Sequence, residues 1–221
     1  MTDFEKFAVS KGIGTGKLDG YNKYAVKGGL ITPTILEERS LNVIGYDIFS
    51  RLQLDRILFL GSEINEDVAD IINAQLLYLN SIGEEDIKMF INSPGGSVID
   101  GLAIYDVMNF VQPDVSTYCM GMCASMGSII VSSGVKGKRY ALPNSTVMIH
   151  QVSSGTGRVQ NSDLQIAAKQ SQRWQNTLYG ILAENTGKSF EEIERDADRD
   201  HWFTAQEAIE YGLVDEIVRK K

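Results

Sequence analysis

The sequence predicts an α/β fold built on a mainly parallel sheet. Short apolar runs recur at 56–60, 87–91, 115–120 and 146–149, each about the length of a buried strand. Helical patterns separate them. Alternation of strand and helix calls for crossover connections, which join parallel strands. The 221 residues, 43% hydrophobic and 23% charged, suit one soluble domain with a sizeable core, or one domain plus an arm.

Taken in order, residues 1–29 stand apart. Six glycines and five lysines against three acids give this stretch a net charge of +2, which leaves −10 on the remainder. Gly12, Gly14, Gly16 and Gly20 oppose any helix. We expect an N-terminal arm or removable leader here, and a working domain over 30–221. Arg56-Ile57-Leu58-Phe59-Leu60 reads as the first buried strand. Over 66–80, Val68, Ile71, Ile72, Leu76 and Leu79 share one helical face. A strand over 87–91, a helix over 98–111 and a strand over 115–120 follow. Residues 127–133 form a short apolar helix, and Lys136-Gly137-Lys138 a turn. After the strand at 146–149, the polar, Gly/Ser-rich segment 151–163 leaves the core as a loop, and a long helix covers about 163–186. Capping boxes, Ser189 with Glu192 and Thr204 with Glu207, open the last two helices. A strand over 213–218 closes the chain.

Composition excludes several function classes. Net charge is −8 with no block of like charges, which argues against a nucleic-acid or anionic-membrane binder. No apolar run approaches the roughly 18 residues of a membrane span. Asp3, Glu5, Lys6 and Lys11 interrupt any signal core. Two histidines and two cysteines exclude a multi-histidine zinc enzyme and a disulfide framework. Cys119 and Cys123 read as buried, reduced thiols of a cytoplasmic protein, although Cys123 is also weighed as a nucleophile.

In open α/β folds, chemistry gathers where strands end and helices begin. Three such junctions carry unusual residues. Asn92-Ser93-Pro94-Gly95-Gly96-Ser97 lacks the lysine of a phosphate loop and the third glycine of a dinucleotide fingerprint. It reads as a tight turn or as an oxyanion hole. Cys123-Ala124-Ser125-Met126-Gly127 puts Ser125 at a helix start, where the dipole favours an oxyanion. It is not the G-x-S-x-G elbow of α/β-hydrolases. His150 ends an apolar strand, whereas His201 sits in a charged turn and suits packing or the surface. A serine nucleophile needs an adjacent base, so Ser125 pairs with His150. An acid must orient the imidazole, and Asp196, Asp198 and Asp200 remain open choices.

The segments Phe90-Ile91-Asn92-Ser93-Pro94-Gly95-Gly96, 119–127, Leu142-Pro143-Asn144-Ser145 and Met148-Ile149-His150-Gln151, with the tail 193–200 and 208–215, together resemble the ClpP family. That is the proteolytic subunit of the ATP-dependent Clp protease. The resemblance covers about residues 30–219. It implies a crotonase-like fold with βαβ units and a protruding handle over about 151–186. It implies a serine endopeptidase with nucleophile Ser125, base His150 and acid Asp200, and with Gly96 and Met126 N–H groups as the oxyanion hole. It also implies two stacked heptameric rings of 14 subunits, fed with unfolded polypeptides by a hexameric AAA+ unfoldase that alone uses ATP. No metal or cofactor is implied. Phe90, Tyr140 and Leu142 match the cleft where the unfoldase docks, and Arg199 matches a ring-to-ring contact. Two residues depart from the family. Cys123 replaces a usual alanine, and Lys88 stands where an aromatic is common. Two other readings stay open: a catalytically silent ring subunit, which would have lost triad residues, and a crotonase-type acyl-CoA enzyme, which needs no Ser–His pair.

Overall fold

The structure, a computed structural model, describes residues 34–39, 42–153, 155 and 160–220. The arm expected over 1–29 lies outside them, as does part of the loop expected over 151–163. Contacts divide the chain into two units at Leu54.

In the first unit, β1 (Thr34–Arg39) and β2 (Asn42–Asp47) form an antiparallel hairpin, in register from Thr34 opposite Asp47 to Arg39 opposite Asn42. This hairpin was not anticipated from the sequence. Helix α1 (Ile48–Leu54) starts at Asp47, whose Oδ1 accepts the N–H groups of Phe49 and Ser50 at 3.0 Å. That is the N-cap arrangement that satisfies otherwise orphaned donors.

The second unit contains the expected parallel sheet. Its elements are β3 (Ile57–Leu60), α2 (Glu66–Ile82), β4 (Ile87–Ser93), α3 (Val98–Phe110), β5 (Val115–Ala124) and α4 (Met126–Ser132). Then come β6 (Arg139–Ala141), β7 (Thr146–Ile149), α5 (Asn161–Thr186), α6 (Phe190–Asp196), β8 (His201–Thr204), α7 (Ala205–Tyr211) and β9 (Glu216–Ile217). The strand order is β3-β4-β5-β6-β9, all parallel. Strand β7 adds to β5 in parallel, and β8 adds to β7 antiparallel.

Most elements lie where periodicity placed them. Asn65 caps α2 through Val68 N–H, and both expected capping boxes are present at Ser189 and Thr204. Helix α5 starts at Asn161, slightly before the expected 163, and buries side chains only from Leu178 onward. Leu164 and Ile166, on its first half, stay exposed. Ile71, expected on the apolar face of α2, is exposed, and three further expectations need correction. The strand expected to stop at residue 120 runs to Ala124, because a bulge lets it resume pairing. His201, expected in a turn, opens β8 opposite Ile149 and stacks on Phe203 at 4.3 Å. The closing strand shrinks from 213–218 to Glu216–Ile217, while Leu213 and Val214 go into the core instead.

Side chains alternate across the sheet. Leu58, Leu60, Met89, Ile91, Cys119 and Ala141 are buried on one face, in one core with Ile72, Leu76, Ile104 and Ile130 from the helices. On the other face one register row carries Phe59, Phe90, Tyr118 and Tyr140 across four strands. Their rings stack at 5.5, 4.6 and 4.7 Å between successive centroids. Offset aromatic pairs of this kind contribute about 0.5–1.5 kcal/mol each beyond burial.

One buried cation joins distant parts of this unit. The Arg139 guanidinium donates to both Asp215 oxygens, at 2.9 and 2.5 Å, and to the carbonyls of Ser132 (3.2 Å) and Asn185 (2.9 Å). It therefore ties the ends of α4 and α5 to the C-terminal segment. Burial tends to raise the Asp215 pKa, but hydrogen bonds from the Arg139 side chain and from the Arg139 and Gly137 N–H groups outweigh it and hold it below the usual value. A carboxylate depressed in the folded state contributes its full stability above the unfolded pKa of about 3.9. That contribution is lost as pH falls through the lower folded value. We expect Arg139→Met to cost about 3–5 kcal/mol in urea unfolding, because it strands the partner charge. Asp215→Asn should flatten the acid limb of a stability-versus-pH curve. An unchanged acid limb would contradict this account.

Candidate active site

The site forms where β4, β5 and β7 end. Strand β5 governs it. Ile91 pairs with Cys119 and Ser93 with Cys123, so two steps along β4 match four along β5. The surplus is taken up at Gly121, whose φ of +80 suits glycine. A Cβ there would lie 2.7 Å from Asn92 Oδ1. The same oxygen accepts Met122 N–H at 3.1 Å. Before this bulge β5 pairs with β6. Beyond it, Met122, Cys123 and Ala124 pair with Thr146, Val147 and Met148 of β7. The bulge thus moves β5 from one neighbour to the other and brings its end beside the end of β7. Sequence reasoning missed this role of Asn92 and Gly121. An isolated glycine inside an apolar strand was the available signal.

Ser125 follows at once, between β5 and α4, with φ 54 and ψ −123. A non-glycine residue there stores about 1–3 kcal/mol of strain. The conformation is held by Ser125 N–H donating to Met148 C=O at 2.9 Å, and by Ser125 C=O accepting from Ser128 N–H at 2.9 Å. Although Ser125 occupies the N-cap position, its hydroxyl caps nothing. It lies 2.8 Å from His150 Nε2 instead. His150 Nδ1 is 3.3 Å from Asp200 Oδ1. The structure therefore brings Ser125, His150 and Asp200 together in one line. Of the other two acids, Asp196 is taken up by Tyr211 OH (3.0 Å) and Arg195 Nε (3.0 Å). Asp198 faces Arg199 at 3.9 Å.

The glycine turn abuts this serine. Ile64 N–H donates to Gly95 C=O at 2.7 Å, and Ile64 C=O accepts from Ser97 N–H at 2.9 Å. Both bonds of that bridge avoid the Gly96 N–H. Met126 is the first residue of α4, so its N–H has no acceptor within the helix. Among the described residues, neither the Gly96 nor the Met126 N–H donates to a backbone carbonyl in these turns. Gly95 has φ +95, and a Cβ on it would lie 2.6 Å from Ser125 Cβ and 2.9 Å from Met126 N.

The remaining expected residues fall elsewhere. Cys123 is fully buried, with Sγ 3.5 Å from Ile91 C=O. Burial pushes its thiol well above the usual value, so it is no nucleophile at neutral pH. A hydrogen bond with Cys123 instead lowers the Cys119 thiol, which is also in the core. Phe90 and Tyr140 belong to the aromatic row. Leu142 is half-buried after β6, and Lys88 is exposed on β4. Arg199 is 89% exposed and projects outward. Among the described residues, no three His, Cys, Asp or Glu side chains cluster as a metal site would require. No described helix is long and apolar enough to cross a membrane.

We expect Gly95→Ala to push the turn off Ser125 and misplace the neighbouring donors. The rate at which a fluorophosphonate serine probe labels Ser125 should then fall about 10²-fold or more, the scale of losing one preorganised donor in other enzymes. Wild-type labelling would sink the claim.

Known proteins place the chain in a family. The sequence is 49% identical, over all of this chain and 99% of the relative, to the ATP-dependent Clp protease proteolytic subunit of Porphyromonas gingivalis. It is 50% identical, over the whole of both chains, to the subunit of that name from Bacteroides fragilis. The figure is 47%, again over both whole chains, for the one from Bacteroides thetaiotaomicron. The family profile described as Clp protease matches residues 40–221, more than four-fifths of the chain, and the chain belongs to the Clp protease family.

Proposed function

We propose that this Clp protease cleaves peptide bonds by serine chemistry with Ser125 as nucleophile, His150 as base and Asp200 as the orienting acid. The observation that carries the reading is the 2.8 Å approach of Ser125 Oγ to His150 Nε2, with Asp200 on the opposite ring nitrogen. The scissile carbonyl meets Ser125 Oγ while His150 Nε2 takes its proton. Asp200 favours the tautomer that keeps Nε2 free to accept it. Negative charge then develops on the carbonyl oxygen, where the Gly96 and Met126 N–H groups receive it. Such preorganised donors contribute about 3 kcal/mol each in other enzymes. His150 next protonates the leaving amine, and water releases the acyl group by the same route. No step requires a metal or cofactor.

The relatives' name couples proteolysis to ATP. We read this chain likewise as an oligomeric, cytoplasmic peptidase working with a Clp ATPase that consumes the ATP. Two stacked heptameric rings, a hexameric AAA+ unfoldase and unfolded polypeptide substrates complete the reading. The stacked row of Phe90, Tyr118 and Tyr140, with Leu142 beside it, suits the docking cleft. The exposed first half of α5 and Arg199 suit the contact between rings. Residues 30–221 are the protease domain and 1–29 a leader or arm.

Ser125→Ala should abolish cleavage of a small fluorogenic peptide, and His150→Ala should match it. Asp200→Asn should lower kcat by up to about 10⁴-fold. Persistent cleavage by the purified Ser125→Ala protein would refute the triad. Native mass measurement reports the subunit count and the state of the leader, and any stoichiometry other than 14 would revise the assembly.

A further inference from the structure

We propose that Gln151 is a positioning residue for Asp200. Its side-chain amide fixes the turn that presents the carboxylate to His150. The inference rests on the triad reading given above.

The starting point is how little holds the acid. The Asp200 side chain is 63% exposed. Among the described residues its one polar partner is His150 Nδ1, at 3.3 Å. A charge-assisted N–H···O bond is shorter, about 2.7–2.9 Å. Among the described residues no second donor orients the carboxylate, so its place is set by the backbone that carries it.

That backbone is pinned on both sides of Asp200. On the C-terminal side, His201 pairs with Ile149 across the β7–β8 ladder. On the N-terminal side, Gln151 Nε2 donates to the Asp198 carbonyl at 2.6 Å. Its partner is a carbonyl oxygen, which only accepts, so the amide nitrogen must face it. The correspondence is orderly. Ile149 and Gln151 flank the base, and their respective partners, His201 and Asp198, flank or approach the acid. The segments carrying His150 and Asp200 are thus clamped above and below the pair.

Among the described residues, no other contact does the same work for residues 198–200. Helix α6 ends at Asp196, and Ala197 N–H closes its last turn on Ile193 C=O. The Asp198 carboxylate turns toward Arg199, and Arg199 projects into solvent. Without the Gln151 amide, the turn from Ala197 to Asp200 has only its two ends fixed. An acid already at the limit of contact then drifts from the imidazole. Misplacement of a catalytic group by about 1 Å can cost on the order of 10²-fold in rate.

The test uses the full chain in its native assembly. Gln151→Ala and Gln151→Glu remove the donor, and Asp200→Asn is combined with each. We measure kcat and KM on a small peptide, the labelling rate with a fluorophosphonate, and the thermal midpoint. We expect Gln151→Ala to lower kcat and labelling about 10–100-fold, with KM within about twofold. We expect it to add nothing further in the Asp200→Asn background, where labelling stays readable. That non-additivity marks a residue acting through the acid. Wild-type kcat in Gln151→Ala overturns the proposal. So does an equal loss with and without Asp200, or a loss that tracks a collapse of the thermal midpoint. The parent reading fails separately: if Ser125→Ala still cleaves, or Asp200→Asn is unimpaired, the triad itself is wrong.

Discussion

Ser125 holds a backbone conformation that L-residues avoid, and the surrounding structure is arranged to keep it there. Its φ of 54 and ψ of −123 turn the chain sharply from β5 into α4. The strain of about 1–3 kcal/mol is offset by two features that a relaxed turn would lose. The Ser125 N–H reaches Met148 on β7, and its C=O starts α4. The hydroxyl is left unspent by the backbone and meets His150. A serine in ordinary N-cap geometry would accept a helix N–H on its hydroxyl oxygen and be lost to chemistry.

The split pairing of β5 makes that turn possible. A regular strand would continue beside β6 and carry Ser125 away from β7. The bulge at Gly121, pinned by Asn92, hands the strand to β7 and aligns Ala124 with Met148. Since His150 directly follows β7, the same register that positions Ser125 positions the imidazole. Asp200 comes in just ahead of β8, which adds antiparallel to β7 and places His201 opposite Ile149. One bulge and two strand registers therefore assemble three residues that lie 25 and 50 positions apart in sequence.

Rigidity behind the site comes from the core face of the sheet and from Arg139. The guanidinium is almost fully buried and every contact it makes is to an oxygen acceptor from another element. A buried cation satisfied in this way costs desolvation but specifies one arrangement of α4, α5 and the C-terminal segment. Helix α4 begins at the serine turn, so a fixed α4 also fixes the donors at its N-terminus.

Much was legible in the sequence. The alternation of apolar runs with helical patterns dictated parallel crossover units, because periods of two and 3.6 fit only one element each. Both late capping boxes were readable, since they depend on residues three apart. With two histidines in the chain, the choice of base was narrow, and strand-end logic favoured His150. Other features were beyond local reading. Asp196, Asp198 and Asp200 look alike in sequence, and only the fold gives Asp196 to Tyr211 and Arg195 while turning Asp200 toward His150. The extension of β5 past Gly121 and the ties made by Arg139 and Gln151 likewise needed tertiary contacts. The sequence by itself determined which elements form and which residue types could react, because periodicity and side-chain chemistry are local. The tertiary structure decided which of those residues meet and with which backbone strain, because register, burial and hydrogen-bond partners arise only between segments far apart in the chain.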